Sequence, residues 1–106
     1  MFSLNFFKMQ VKIHKSYRYV IAICDSDLLG KQFQEDKFQL DIKESFFKGK
    51  ELSKEKVLEQ IKDMAIEDAT FNIVGKESIQ TALEAGIISK EGIKKIKGIP
   101  FALVLL

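Results

Sequence analysis

The stretch ICDSDLLGKQ, Ile23 to Gln32, sets the chain's single cysteine beside two aspartates and a glycine–lysine pair. Cysteine does nucleophilic work as a thiolate, which needs a base or a positive field at hand. Asp25 and Asp27 supply the opposite sign, and Cys24 ends an apolar run, so it is expected as a small buried hydrophobe. Asp25, Ser26 and Asp27 offer oxygens to a hard cation. The glutamate that completes an EF-hand loop is missing, however, so no metal site is expected. Capping suits the aspartates better: Asp25 over a short turn at SDLL, which Gly30 leaves with a positive φ. His14 is the one histidine. Without a cysteine partner it makes no zinc site, and it is expected on the solvent side of a strand.

A second candidate is NIVGKES, residues 72–78. A strand, a glycine and a helix start would point free N–H groups and the positive end of a helix dipole at a phosphate or carboxylate. Lys76 would add charge. The Walker spacing and the three-glycine dinucleotide pattern are both absent. The ligand-binding candidates are therefore Asp25, Asp27, Asn72, Gly75, Lys76 and Ser78, with Asp25 or Asp27 as the acid/base if the domain is a small enzyme. No catalytic residue and no cofactor is assigned.

The lysines form the third candidate. Lys48, Lys50, Lys54 and Lys56 surround one helix start, while Lys90, Lys94, Lys95 and Lys97 decorate a later segment. Folded together they would make a basic face for RNA backbone, where lysine contacts are sequence-blind. Glu51, Glu55 and Glu91 interrupt that charge, and no RNP motif, KH loop or zinc knuckle accompanies it.

Behind these residues stands an ordinary globular composition. The chain has 106 residues, 46% hydrophobic and 30% charged, with a net charge of only +2, which permits an acidic partner without demanding one. Arg18 is the only arginine, which counts against bidentate recognition of phosphate or guanine. One cysteine makes no internal disulfide, and no run nears the roughly 18 apolar residues of a membrane helix. A cytoplasmic setting is the expectation. Met9 is a plausible true start, so residues 1–8 are read as an extension and residues 9–106 as one domain.

Alternation of Val11 and Ile13 against Lys12 and His14 predicts a strand, and YRYVIAIC a more buried one paired with it as a hairpin. Phe38, Leu40 and Ile42 share one face of a third. Ser53 is placed to cap a helix carrying Val57, Leu58, Ile61, Met64 and Ala65 inward. ATFNIVG returns to strand, and KESIQTALEAG reads as a helix that Gly86 ends. Ser89 would cap a short third helix with Ile93 and Ile96 inward, stopped by Gly98 and Pro100. FALVLL is a last strand, expected to be central with both faces buried. The order β-β-β-α-β-α-α-β describes one small α/β or α+β domain with a mixed sheet and about three helices.

The segments CDSDLLGK, FNIVGKES and GIPFALVLL, in that order, resemble a small archaeal family known as domain of unknown function 424. The resemblance runs from Met9 to the end and implies a shared fold without an activity. Many members carry a histidine directly after the proline of the last segment. Phe101 stands there in this chain, which removes a candidate catalytic group, and a lysine-rich, single-cysteine composition fits an archaeal origin. The leading expectation is a non-catalytic binding module associated with RNA or the translation apparatus, contacting it through Lys48, Lys50, Lys54, Lys90, Lys94, Lys95 and Lys97. A small enzyme or anion-binding domain at Gly75–Ser78 is one alternative. A protein-interaction module or homodimer, using the apolar FSLNFF or a sheet edge, is the other.

Overall fold

The computed structural model describes residues 8–106, so the FSLNFF segment proposed for dimer formation lies outside the described residues. Strands β1 (Met9–Lys15) and β2 (Tyr19–Asp25) form the expected antiparallel hairpin, with Met9 opposite Asp25 and Lys15 opposite Tyr19. The chain then makes a single 3-10 turn at Ser26–Leu28 and a small separate ribbon, β3 (Gln32–Glu35) with β4 (Phe38–Asp41). A one-turn helix α1 (Glu44–Phe47) and the three-residue strand β5 (Lys50–Leu52) lead into α2 (Lys54–Ile66). Strand β6 (Thr70–Val74), helix α3 (Lys76–Ala85), strand β7 (Lys94–Ile96) and strand β8 (Ile99–Leu105) complete the α+β domain.

Six strands share one mixed sheet in the order β5-β1-β2-β6-β8-β7. The β2–β6 pair is parallel and every other pair antiparallel. Side-chain alternation divides the apolar residues between the two faces. Val11, Ile21, Ile23, Phe71, Ile73, Ala102 and Val104 point to the face covered by α2 and α3, which contribute Val57, Ile61, Ile79 and Ala82. Ala22, Cys24 and Val74 point the other way, against Leu28 of the 3-10 turn, Ile42 and Phe47. This second cover is partial, and beyond it Leu103 and Leu105 of β8 remain exposed.

Two expectations about the C-terminal quarter are corrected. The segment after Ser89 is a short 3-10 turn, Lys90–Gly92, followed by β7, and not a helix. Ile93 and Ile96 sit three apart, a spacing that fits a helix, but Lys97 and Gly98 both take left-handed φ values, 52° and 78°. A two-residue loop of that kind joins antiparallel strands, so Ile96 pairs with Ile99 across a tight hairpin. Nor is β8 buried on both faces. It lies between β6 and β7, with Ala102 and Val104 inward and Leu103 and Leu105 outward.

The helix-covered face carries most of the apolar core, so its loss should be felt through the whole cooperative unit. Ile61→Ala, at a fully buried position, is expected to lower unfolding free energy by about 2–5 kcal/mol. Leu103→Ala, on the open face, is expected to stay within about 1 kcal/mol. Urea denaturation of the two variants checks the contrast.

Candidate functional site

Strands β2 and β6 run parallel, so their carboxyl ends, Asp25 and Gly75, lie side by side at one margin of the sheet. The two segments singled out from sequence, ICDSDLLGKQ and NIVGKES, therefore do meet. What they build differs from a vacant anion site. The carboxylate of Asp25 accepts the Glu77 N–H at 3.1 Å, the Ser78 N–H at 2.8 Å and the Ser78 hydroxyl at 2.7 Å. It takes the place an external phosphate would occupy at the start of α3, where orphan amides and the helix dipole favour a negative charge. Asp25 was expected to cap its own turn, yet its side chain makes no bond there. It caps a helix 52 residues further along instead.

Gly75 makes that approach possible. Its φ is +111°, and a Cβ on it would stand 2.4 Å from the Asp25 carboxyl carbon, inside van der Waals contact. Its N–H donates to the Pro100 carbonyl at 2.8 Å, tying the end of β6 to β8. Ser78 is fully buried on its bond to Asp25, and Thr81, also buried, donates to the Glu77 carbonyl at 2.7 Å. Ser78 and Gly75 are thus held in the fold by Asp25.

Outside these strand ends lies a cleft of about 550 Å³, lined by Lys8, Asp25, Ser26, Asp27, Leu28, Glu51, Lys76, Glu77 and Ile99. Clefts at the carboxyl ends of parallel strands are common ligand sites. This one sets two ammonium groups against four carboxylates, one of them already bonded to α3. That balance does not favour a phosphate. Asp27 and Lys76 share the cleft, whereas Asn72 lines a different cavity, of about 290 Å³, with Leu40, Phe46, Phe101 and Leu103. Among the described residues no cluster of three or more His, Cys, Asp or Glu side chains is arranged to hold a metal ion.

Cys24 is fully buried beside this corner. Burial first, and the charges of Asp25 and Asp27 next, push its thiol up from 9.0 to about 12. His14 is half-buried, contrary to the solvent-facing expectation. Its ring stacks on Phe46 with centroids 4.6 Å apart, and Nε2 lies 2.9 Å from the Phe46 carbonyl.

The two groups of lysines lie at opposite margins of the sheet. Lys50 lies on β5 and Lys94 and Lys95 on β7, the opposite outer strands of the six-stranded sheet. Lys54 is engaged by Glu84 of α3. Around β5 a groove of about 450 Å³ is lined by Val11, Lys12, Ile13, Gly49, Lys50, Leu52, Lys56, Glu59 and Gln60. The sequence marks Lys12 and Ile13 only as strand residues, and nothing local in it marks them as groove lining.

Two outcomes are expected from this corner. Asp25→Ala removes a charged cap and strands the buried Ser78 hydroxyl, so it should cost about 2 kcal/mol in chemical denaturation. The Cys24 thiol should react with a disulfide reagent at pH 8 only as fast as the protein unfolds. A thiol at about 12 holds on the order of one part in ten thousand as thiolate there. The sign with pH follows from the same shift. The unfolded thiol ionises first, so the contribution to stability holds below pH 9 and declines as pH rises toward 12.

No curated protein matches the chain. A solved structure described as an uncharacterized conserved protein from Methanopyrus kandleri superposes with a TM-score of 0.81. It covers 92% of each chain at 24% identity, a likeness of fold. No helix among the described residues is long and apolar enough to cross a membrane. A family model described as protein of unknown function (DUF424) matches residues 14–106, nearly the whole chain, and the chain belongs to that family.

Proposed function

We propose that the protein is a non-catalytic binding module that contacts RNA, free or within the translation apparatus, through the lysines of its β7 margin. The observation that carries this reading is local. Lys90, Lys94, Lys95 and Lys97 are all exposed along one short stretch of the outermost strand and its two flanking turns. The acidic neighbours are Glu35, whose carboxylate accepts the Lys97 N–H at 2.6 Å, and Glu91, two carboxylates against four ammonium groups. Lysine contacts to phosphate depend on charge and reach, not on a rigid fork, so a chain with one arginine can still use them. The set is small, which suits a weak, salt-sensitive contact and not a high-affinity site.

Anion binding at Gly75–Ser78 finds less support, because the Glu77 and Ser78 amides already donate to Asp25. A small enzyme built on Asp25 meets the same obstacle, since that carboxylate is committed to the helix.

Bulk tRNA in a fluorescence anisotropy titration tests the proposal. Binding at low ionic strength should weaken steeply with added salt. The double variant Lys94→Glu/Lys95→Glu should bind at least about tenfold more weakly, with a salt slope shallower by about 2. Absence of binding at low salt, or an unaltered titration for that variant, would remove the proposal.

A further inference from the structure

At the other margin of the sheet, we infer that the outer edge of β1 is a docking site for an extended acidic segment of a partner protein, which adds there as a further strand. Strand β5 pairs only with Met9, Gln10 and Val11, while β1 continues to Lys15 on its β2 side. Residues of an antiparallel strand send both backbone groups to one side or the other in alternation. The Lys8 carbonyl accepts the Ser26 N–H, continuing the ladder on the β2 side, and the Val11 carbonyl lies against Gly49 on the β5 side. By that alternation Ile13 and Lys15 direct their N–H and C=O groups outward, past the end of β5, where no strand among the described residues pairs with them.

The edge adjoins the groove between β1, β5 and α2, whose floor carries Val11, Ile13 and Leu52. Ile13 is 43% exposed, a large apolar side chain beside backbone that no described strand pairs. Strand addition needs both of these: main-chain partners for affinity and pockets for alternate side chains. The charges name the occupant. Lys50 and Lys56 line the groove with Glu59 the one acidic residue of its lining, while the Lys12 ammonium donates to the Ser45 carbonyl at 3.0 Å. The Lys15 ammonium stands at the far end, 5.7 Å from the Tyr19 ring centroid. A second copy of this edge would bring like charges together, the usual means by which sheet edges resist self-pairing. Lys50 is the cross-strand partner of Val11, and Lys15 shares that face by alternation, so an added strand meets the apolar floor and these lysines with the same set of side chains, a set that mixes apolar and acidic residues.

The experiment uses the full chain and a fluorescein-labelled peptide with threonine at every second position and valine and glutamate in turn between them, the same peptide with lysine for glutamate serving as control. The acidic peptide is expected to bind and to shift the amide NMR signals of Ile13, Lys15 and Leu52. Ile13→Pro removes the outward N–H without touching the β1–β2 ladder, and prolines are tolerated on edge strands. It should weaken binding at least about tenfold, as should the surface variant Lys50→Glu/Lys56→Glu, which does not disturb the core. Equal binding of both peptides, signal shifts elsewhere, or no binding would overturn the inference. So would a dimer by light scattering that Ile13→Pro abolishes, which would give the edge to a second copy. If tRNA shifts these same amides, the groove is an RNA surface and the peptide assignment falls.

Discussion

The Asp25 carboxylate is the constraint on which the centre of this structure depends. It stands at the end of β2 and closes the start of α3, joining two elements that the chain separates by the whole of β3 to β6. Parallel pairing of β2 with β6 brings the two ends level, and Gly75, lacking a Cβ, lets the carboxylate reach the amides. Ser78 can be buried because its hydroxyl has Asp25 to donate to. A buried hydroxyl without a partner would cost about 1–3 kcal/mol, so cap, glycine and serine form one unit and not three independent features.

That unit also bears on function. A helix start with free amides is a general anion site, and its chemistry does not distinguish a bound phosphate from a carboxylate of the same chain. Here the chain supplies its own. The neighbouring cleft then presents mostly carboxylates, and its charge is opposite to what the Gly-Lys-Glu-Ser segment suggests in isolation. Cys24, next in sequence to Asp25, is drawn into the same outcome. Burial and two adjacent carboxylates hold it as a thiol, so a nucleophile's residue type is present without a nucleophile's surroundings.

Much of the scaffold was legible because local pattern and final environment agree. Val57 and Ile61 recur at helical spacing and are fully buried, and the alternation of Val11 and Ile13 with Lys12 and His14 marks strand β1, although Ile13 is left exposed and His14 half-buried. Gly86 ends α3 in the left-handed conformation expected of it. Legibility failed where two patterns fit one segment. Ile93 and Ile96 satisfy a helix stripe as well as a strand leading into a tight turn, and only the Lys97–Gly98 pair flanked by isoleucines favours the hairpin. The partner of Asp25 was illegible for a different reason. A cap reads locally as a residue next to its own helix, and nothing in CDSDLL marks a helix whose first capped amide, that of Glu77, lies 52 residues further along the chain.

The lysines show how far charge counting can mislead when topology is unknown. Two groups of similar composition sit at similar distances from helix-like segments, and composition alone merges them into one basic face. Strand order separates them to opposite margins, and their surroundings differ in kind. On β7 the lysines flank a closed hairpin whose outer strand is only three residues long, so charge there comes with a short edge. Beside β1 they accompany backbone that no described strand pairs and an exposed Ile13, so charge there comes with a longer run of hydrogen-bonding groups and apolar area. Phosphate backbone asks only for the first kind of surface, whereas an extended peptide needs the second. Opposite ends of one sheet can therefore serve different partners, with the Asp25–α3 junction holding the strands between them in register.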